Sequence, residues 1–207
     1  MAVPASVIGV ELPMDRAGAA VEGVRAHLMA HATGAGNDAA FAAMIATRSQ
    51  GGGALPAFLG LDAAAFRRLL EHHFPGLPAA LCRTLPGIPM DCAAGFEQRA
   101  EEREELQRLM LMHKAGDSPS EVWMAHVVAA GCMASNHLWE DLGLLERPQL
   151  TDLMRHNFPS LAALNVKDMK WKRFLYKQLC EAEGIYICRA PTCEVCADYQ
   201  ACFGPED

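Results

Sequence analysis

The chain has 207 residues, is 51% hydrophobic and carries a formal net charge of −7 at pH 7. That length suits one domain, or one domain with a small appendage, and the apolar content is enough for a real core. The acidic balance argues against nucleic acid as the main partner, and no apolar run reaches the ~18 residues that a membrane span needs.

The N-terminus, MAVPASVIGVELPMDR, has no basic stretch ahead of its short apolar one and does not read as a secretory signal. This first segment is expected to be mobile. Residues 16–32 predict a first helix, weakened by Gly18 and Gly23. A short helix over 38–47 precedes the Gly51-Gly52-Gly53 break. Asp62 is the expected N-cap of a helix over 62–73, which Phe74-Pro75 ends. A long charged helix over 97–115 stops at Gly116. Ser118-Pro119-Ser120-Glu121 reads as a capping box with proline at the first helical position, opening a helix that runs to about Ala134. Helices over 147–157 and 167–182 complete the set, with Gly184 as a stop signal. Period-2 runs and β-branched clusters are nearly absent. The expected fold is therefore all-α, with a helical domain over 1–187 and a cysteine-rich metal-binding loop over 188–207.

A weak internal repeat runs through this pattern. Leu69, His72, Phe74, Pro75 and Leu77 recur as Leu153, His156, Phe158, Pro159 and Leu161, offset by 84. FLGLD at 58–62 echoes DLGLL at 141–145. Two similar three-helix units packed together would account for both, and the copies are too few for a solenoid.

Eight cysteines without an export signal point to a reducing compartment, the cytoplasm, where cysteine usage favours metal over disulfides. Four of them fall in CRAPTCEVCADYQAC: Cys188, Cys193, Cys196 and Cys202, spaced C-x4-C-x2-C-x5-C. Four thiols this close can converge on one metal centre. The first three spacings match the run of plant-type ferredoxins, which favours an iron–sulfur or mixed-metal cluster. Structural zinc is the alternative, since all-cysteine zinc sites use similar knuckles. Pro191 disfavours helix here, leaving a loop able to wrap a centre.

In the preceding VKDMKWKRFLYKQLC, Lys170, Arg173 and Lys177 fall at i, i+3 and i+7. This basic stripe is either a solvated helix face or a surface that steadies an anionic cluster, attracts an oxyanion or docks an acidic partner. Trp171, Phe174, Leu175 and Leu179 form the apolar stripe beside it. Cys132 and Cys180 lie in helical patterns and read first as small core residues, with an accessory metal role left open for Cys180. Cys82 and Cys92 read as inert thiols. His27 and His31 stand at i, i+4 without an evident third ligand, and of His72 and His73 one faces out when the other faces in. In Asn136-His137-Leu138-Trp139-Glu140-Asp141, Leu138 and Trp139 are anchors for the core, whereas His137 is a possible accessory group near the cluster loop. No G-x-S-x-G elbow, P-loop or GxGxxG is present.

The tail CRAPTCEVCADYQACFGPE, the preceding MKWKRFLYKQLCEAEGIYI and the upstream NHLWEDLGL resemble the NifQ family, the molybdenum-delivery proteins of nitrogen fixation. The resemblance covers residues 118–207 well and 60–85 more loosely. It implies a molybdenum–iron–sulfur cluster on Cys188, Cys193, Cys196 and Cys202, and donation of molybdenum rather than enzymatic turnover. It further implies three partners: a molybdenum source, the nitrogenase iron protein and the scaffold that assembles the iron–molybdenum cofactor. Two other readings stand beside it, a zinc-stabilised helical interaction module and an iron–sulfur electron carrier.

Overall fold

The computed structural model of the protein describes residues 13–85, 98–166 and 168–182, so the N-terminal segment expected to be mobile falls almost wholly outside it. Among the described residues the chain forms ten α-helices, one 3-10 turn and no strand. In chain order these are α1 (Pro13–Met29), α2 (Asp38–Ser49), the 3-10 turn Ala57–Gly60, α3 (Ala63–His73) and α4 (Ala79–Thr84). There follow α5 (Ala100–Met112), α6 (Pro119–Cys132), α7 (Leu138–Asp141), α8 (Arg147–Asn157), α9 (Pro159–Leu164) and α10 (Trp171–Ala182). The all-α class expected from the sequence is the class adopted.

Local chemistry explains three of the helix starts. The Asp62 carboxylate accepts the Ala65 N–H at 2.7 Å and caps α3. That hydrogen bond is the main reason its carboxyl is held below the usual carboxylate range. At α6, Ser118 caps and accepts from Ser120 N–H at 3.2 Å, with proline in the first turn. The reciprocal half of the expected box does not form. Glu121 instead accepts from Gly116 N–H at 3.0 Å, closing the loop that precedes the helix. A complete box occurs at α7, where Glu140 accepts the His137 N–H at 3.1 Å and the His137 side chain accepts in return. The helix expected over 167–182 begins later, at Trp171, and the one expected over 97–115 is shorter at both ends.

Two helices form the centre. Residues 41–46 of α2 are buried without a break, and eleven of the fourteen residues of α6 are buried. A helix apolar on every side can only lie inside the protein. α1 lies along α2, and α5 lies along α6.

The internal repeat is a repeat of structure. α3 and α8 each have 11 residues, and they end at Phe74 (φ −135°, ψ 60°) and Phe158 (φ −135°, ψ 58°). The Thr33 N–H reaches the carbonyl of His73 at 3.1 Å, and the Ala115 N–H reaches that of Asn157 at 2.9 Å. α1–α4 thus correspond to α5–α9, and α10 is added to the second unit. The correspondence is loosest at the FLGLD and DLGLL turns. Phe58 and Leu59 are left-handed (φ 58° and 60°), whereas Leu142 is helical (φ −73°).

Gly131 seats the second of these turns against α6, and Gly143 seats it against the first unit. A Cβ on Gly131 would lie 2.8 Å from Leu142 Cδ2 and 3.1 Å from Leu138 Cδ1. Gly143 has φ +73° and receives the Thr47 hydroxyl on its carbonyl at 2.8 Å.

Candidate metal centre and the platform that carries it

Cys188, Cys193, Cys196 and Cys202 lie outside the described residues, as does Cys92. What the structure shows is the platform they leave from. α10 ends at Ala182, six residues before Cys188. It packs against α5 with Trp171, Phe174, Leu175, Tyr176, Leu179 and Cys180 buried, the stripe expected from its spacing.

Polar contacts hold α10 at three points. The Trp171 indole N–H donates to Thr151 Oγ1 at 3.1 Å, tying the helix start to α8. One residue later, the Lys172 ammonium donates to Ala134 O at 2.9 Å, Asn136 O at 2.9 Å and Asp141 Oδ2 at 2.7 Å. Two of those acceptors are carbonyls just past the end of α6, where the helix dipole favours a cation. The third is a carboxylate whose side chain is fully buried. A turn further on, the Tyr176 hydroxyl donates to Cys132 O at 3.4 Å and accepts from Arg99. Arg99 donates to Met133 O at 2.7 Å and forks onto both oxygens of Glu102. That fork raises the Arg99 pKa, and burial raises the Tyr176 hydroxyl far above its ordinary value. Tyr176 is therefore a neutral donor. The carbonyls of Cys132, Met133, Ala134 and Asn136, at and just past the end of α6, are thus met by side chains from elsewhere in the chain, while Ala130 and Gly131 accept from the backbone N–H groups of Met133 and Ala134.

The other expected site residues are placed as follows. Lys170 precedes α10, and its carbonyl accepts from Phe174 N–H at 2.9 Å. Arg173 is half-buried, whereas Lys177 is exposed and pairs with Glu181 at 3.3 Å. His137 is exposed and caps α7. Cys180 is buried on α10. Cys132 is fully buried, and burial pushes its thiol up to about 12, which removes it as a ready thiolate. His27 and His31 have ring centroids 5.4 Å apart, and His31 Nδ1 is engaged by Pro75 O at 3.2 Å. Among the described residues no group of three or more His, Cys, Asp or Glu side chains is arranged to hold a metal ion.

Reading the sequence missed Lys172, Asp141, Arg99 and Tyr176 as a group. A signal was present for Lys172. It stands three and seven residues before Leu175 and Leu179, in line with the buried face. It also missed a buried polar joint between the two units. His73 bonds Asp38 at 2.6 Å and Ser120 at 2.9 Å, and Ser120 receives the Asn37 amide at 2.8 Å. The order Asp–His–Ser is that of a hydrolase triad. Here Ser120 is 5% exposed and its hydroxyl is engaged on both sides, so the group joins helices. Of the adjacent histidines, His73 is the buried one and His72 the exposed one.

A family model for NifQ matches residues 40–204. The chain belongs to the NifQ family. It is 44% identical over 167 residues to Protein NifQ of Azotobacter vinelandii, covering 79% of this chain and 86% of the relative. It is 36% identical over 155 residues to Protein NifQ of Rhodobacter capsulatus, covering 74% and 80%. With Protein NifQ of Klebsiella pneumoniae it shares 41% identity over 106 residues, covering 51% and 62%. No solved structure matches the chain significantly. The NifQ match spans the four tail cysteines as well as Asp141 and Lys172. NifQ membership links the chain to nitrogen fixation and to molybdenum processing for the nitrogenase cofactor.

Proposed function

We propose that this NifQ chain carries a molybdenum–iron–sulfur cluster as cargo and donates molybdenum for assembly of the nitrogenase iron–molybdenum cofactor. The observation that carries this reading is the set of four closely spaced cysteines, Cys188, Cys193, Cys196 and Cys202, inside the matched family region. Thiolates are soft ligands that suit iron, and they suit molybdenum in a sulfide environment.

The reading is supported by where the cysteines stand in the chain. In sequence they follow α10, the last helix among the described residues. A segment so placed can surrender its metal without unfolding the body. The acceptors in this reading are the nitrogenase iron protein and the cofactor-assembly scaffold, and the chain performs no turnover of its own. Its place of action is the cytoplasm. No helix among the described residues is long and apolar enough to cross a membrane.

The test is a transfer experiment. Anaerobically purified protein is analysed for iron and molybdenum and by electron paramagnetic resonance. It is then held with a molybdenum-deficient cofactor-assembly system and no added molybdate. Loss of molybdenum from the chain and its appearance in the acceptor is the expected result. A colourless zinc protein would overturn the cluster. A brown protein that keeps its molybdenum with every acceptor, yet cycles electrons reversibly, would overturn the donor role.

A further inference from the structure

We propose that His27 and His31 form a two-imidazole site for a divalent transition-metal ion, zinc by preference, at the C-terminal end of α1. The site uses no residue of the cysteine tail.

The way α1 ends brings the two rings together. The Ala30 N–H reaches Ala26 O at 3.0 Å, the α-helical pattern, whereas the His31 N–H reaches Leu28 O at 2.9 Å, only three residues back. The last turn is thus tightened, and side chains four apart lie on one face. The rings of His27 and His31 have centroids 5.4 Å apart and are inclined at 42°. A zinc–imidazole bond of about 2.0–2.1 Å puts the ion roughly 3.2 Å from each ring centre, so two rings meeting it at a tetrahedral angle have centres roughly 5.2 Å apart. The pair therefore stands at chelating distance. His27 is exposed, and its ring is able to turn toward a shared ion without moving the core.

His31 is prepared for a metal on one nitrogen. Its Nδ1 lies 3.2 Å from Pro75 O. A carbonyl only accepts, so Nδ1 carries the proton and Nε2 keeps its lone pair. A backbone carbonyl on the far N–H is the usual support of a metal-bound imidazole, because it fixes tautomer and ring direction. The surroundings favour a cation. His27 is in the last turn of α1, at the negative end of the helix dipole. Arg25, the nearest basic residue in sequence, is already paired with Glu22 at 2.7 Å. Imidazole suits zinc, copper and nickel, and water takes the remaining positions, since no third His, Cys, Asp or Glu among the described residues completes the set.

An ion bound here closes a clasp. Pro75 belongs to the corner after α3, where the Thr33 N–H also meets His73 O at 3.1 Å. Metal on His31 Nε2 makes its Nδ1–H a stronger donor to Pro75 O, and so ties the end of α1 to that corner. A ligand that binds only the folded chain raises its stability. Both histidines precede residues 40–204, so the family match does not account for them.

The test uses the full chain and nickel–nitrilotriacetate, a chelate that leaves two adjacent positions open and so cannot enter a four-cysteine site. Binding is titrated on wild type, on His27→Gln and His31→Gln, and on His156→Gln as a control. One equivalent per chain is expected for wild type. Each of His27→Gln and His31→Gln should bind about 100-fold more weakly, because the second imidazole acts as an intramolecular ligand at high effective concentration. His156→Gln should match wild type. Zinc should raise the melting temperature of wild type more than that of His27→Gln, and without metal the two should melt alike, His27 being exposed. Equal chelate affinity in wild type and His27→Gln, or an equal loss in His156→Gln, would reduce the binding to adventitious surface histidines and overturn the site. Failure of wild type to bind the chelate would overturn it too, and equal zinc responses would overturn the clasp.

Discussion

Asn37 and Asn157, 120 residues apart in sequence, exchange amide hydrogen bonds of 2.6 and 2.8 Å where both side chains are buried. One precedes α2 and the other ends α8, so the exchange joins the two units directly. Replacing Asn157 by leucine leaves the Asn37 carbonyl without its donor inside the protein. The expected cost is about 2 kcal/mol, read as a lower urea midpoint at unchanged slope. A midpoint equal to wild type would show that the units are held by apolar contact alone.

Acid should weaken the same joint through His73. Burial lowers the pKa of His73, against the opposing pull of the Asp38 carboxylate. In the unfolded chain the imidazole titrates at its ordinary value of 6.5, above the folded one. Above that pH both states are neutral and the group has no effect on stability. As pH falls below it, the unfolded state takes up a proton that the folded state refuses, and stability is lost. His126, also lowered by burial, acts in the same direction. His73→Asn installs the residue that stands at the equivalent position 157. Its melting temperature should therefore fall less steeply than wild type as the pH is lowered through 6. Parallel curves for the two proteins would remove His73 from the acid response.

Gly131 is required by the approach of α7 to α6. Gly131→Ala puts a methyl group 2.8 Å from Leu142 Cδ2, and the expected destabilisation is about 1–3 kcal/mol. A thermal melt within error of wild type would mean that the Leu142 side chain moves aside freely.

Each tail cysteine should matter to metal and not to the fold. Changing any one of Cys188, Cys193, Cys196 or Cys202 to serine is expected to reduce bound iron and molybdenum sharply, with the far-UV circular dichroism unchanged. The reason is that, among the described residues, an extensive apolar core is already assembled from helices up to Ala182. Collapse of the helical signal on metal loss would make the tail a folding staple, as in a zinc-stabilised module.

Lys177 tests the basic stripe where it is exposed. Its side chain is 50% exposed and its pairing with Glu181 is a surface one, so Lys177→Glu should alter stability by less than about 0.5 kcal/mol. If the face steers an acidic partner or an oxyanion, loading or transfer should slow and depend differently on salt. Identical rates across a salt titration would reduce Lys177 to a solvated residue.

Much of the fold could be read from local signals. Asp62 before an apolar-periodic run, Ser118-Pro119 before another and Phe-Pro after α3 and α8 act within a turn of the residue concerned, so sequence reveals them. The offset of 84 was visible because a repeated backbone shape demands repeated residues at its corners, Phe74 and Phe158. The short helices α4, α7 and α9 leave no such signal, since four to six residues are too few to show a 3.6-residue period. The capping box expected at Ser118 stays incomplete because two N–H groups compete for the Glu121 carboxylate, and loop geometry favours that of Gly116. The tail cysteines lie outside the described residues, and their reading as one metal site rests on their local spacing.

By itself, then, the sequence determined the helical class, the capped starts of α3 and α6, the repeat and the family that the cysteine motif and its flanking segments mark. Tertiary structure alone decided which charges go inside. Lys172 and Lys177 are both lysines on one helix, yet one closes a buried cradle and the other faces water. Cys132, Arg99 and Tyr176 meet only because α10 is laid across the end of α6, and Asp38, His73, Ser120 and Asn157 meet only where the two units close. Charge and hydrogen-bonding capacity are written residue by residue. Their partners come from elements far apart in the chain, brought together by burial of apolar surface that has no directional preference of its own.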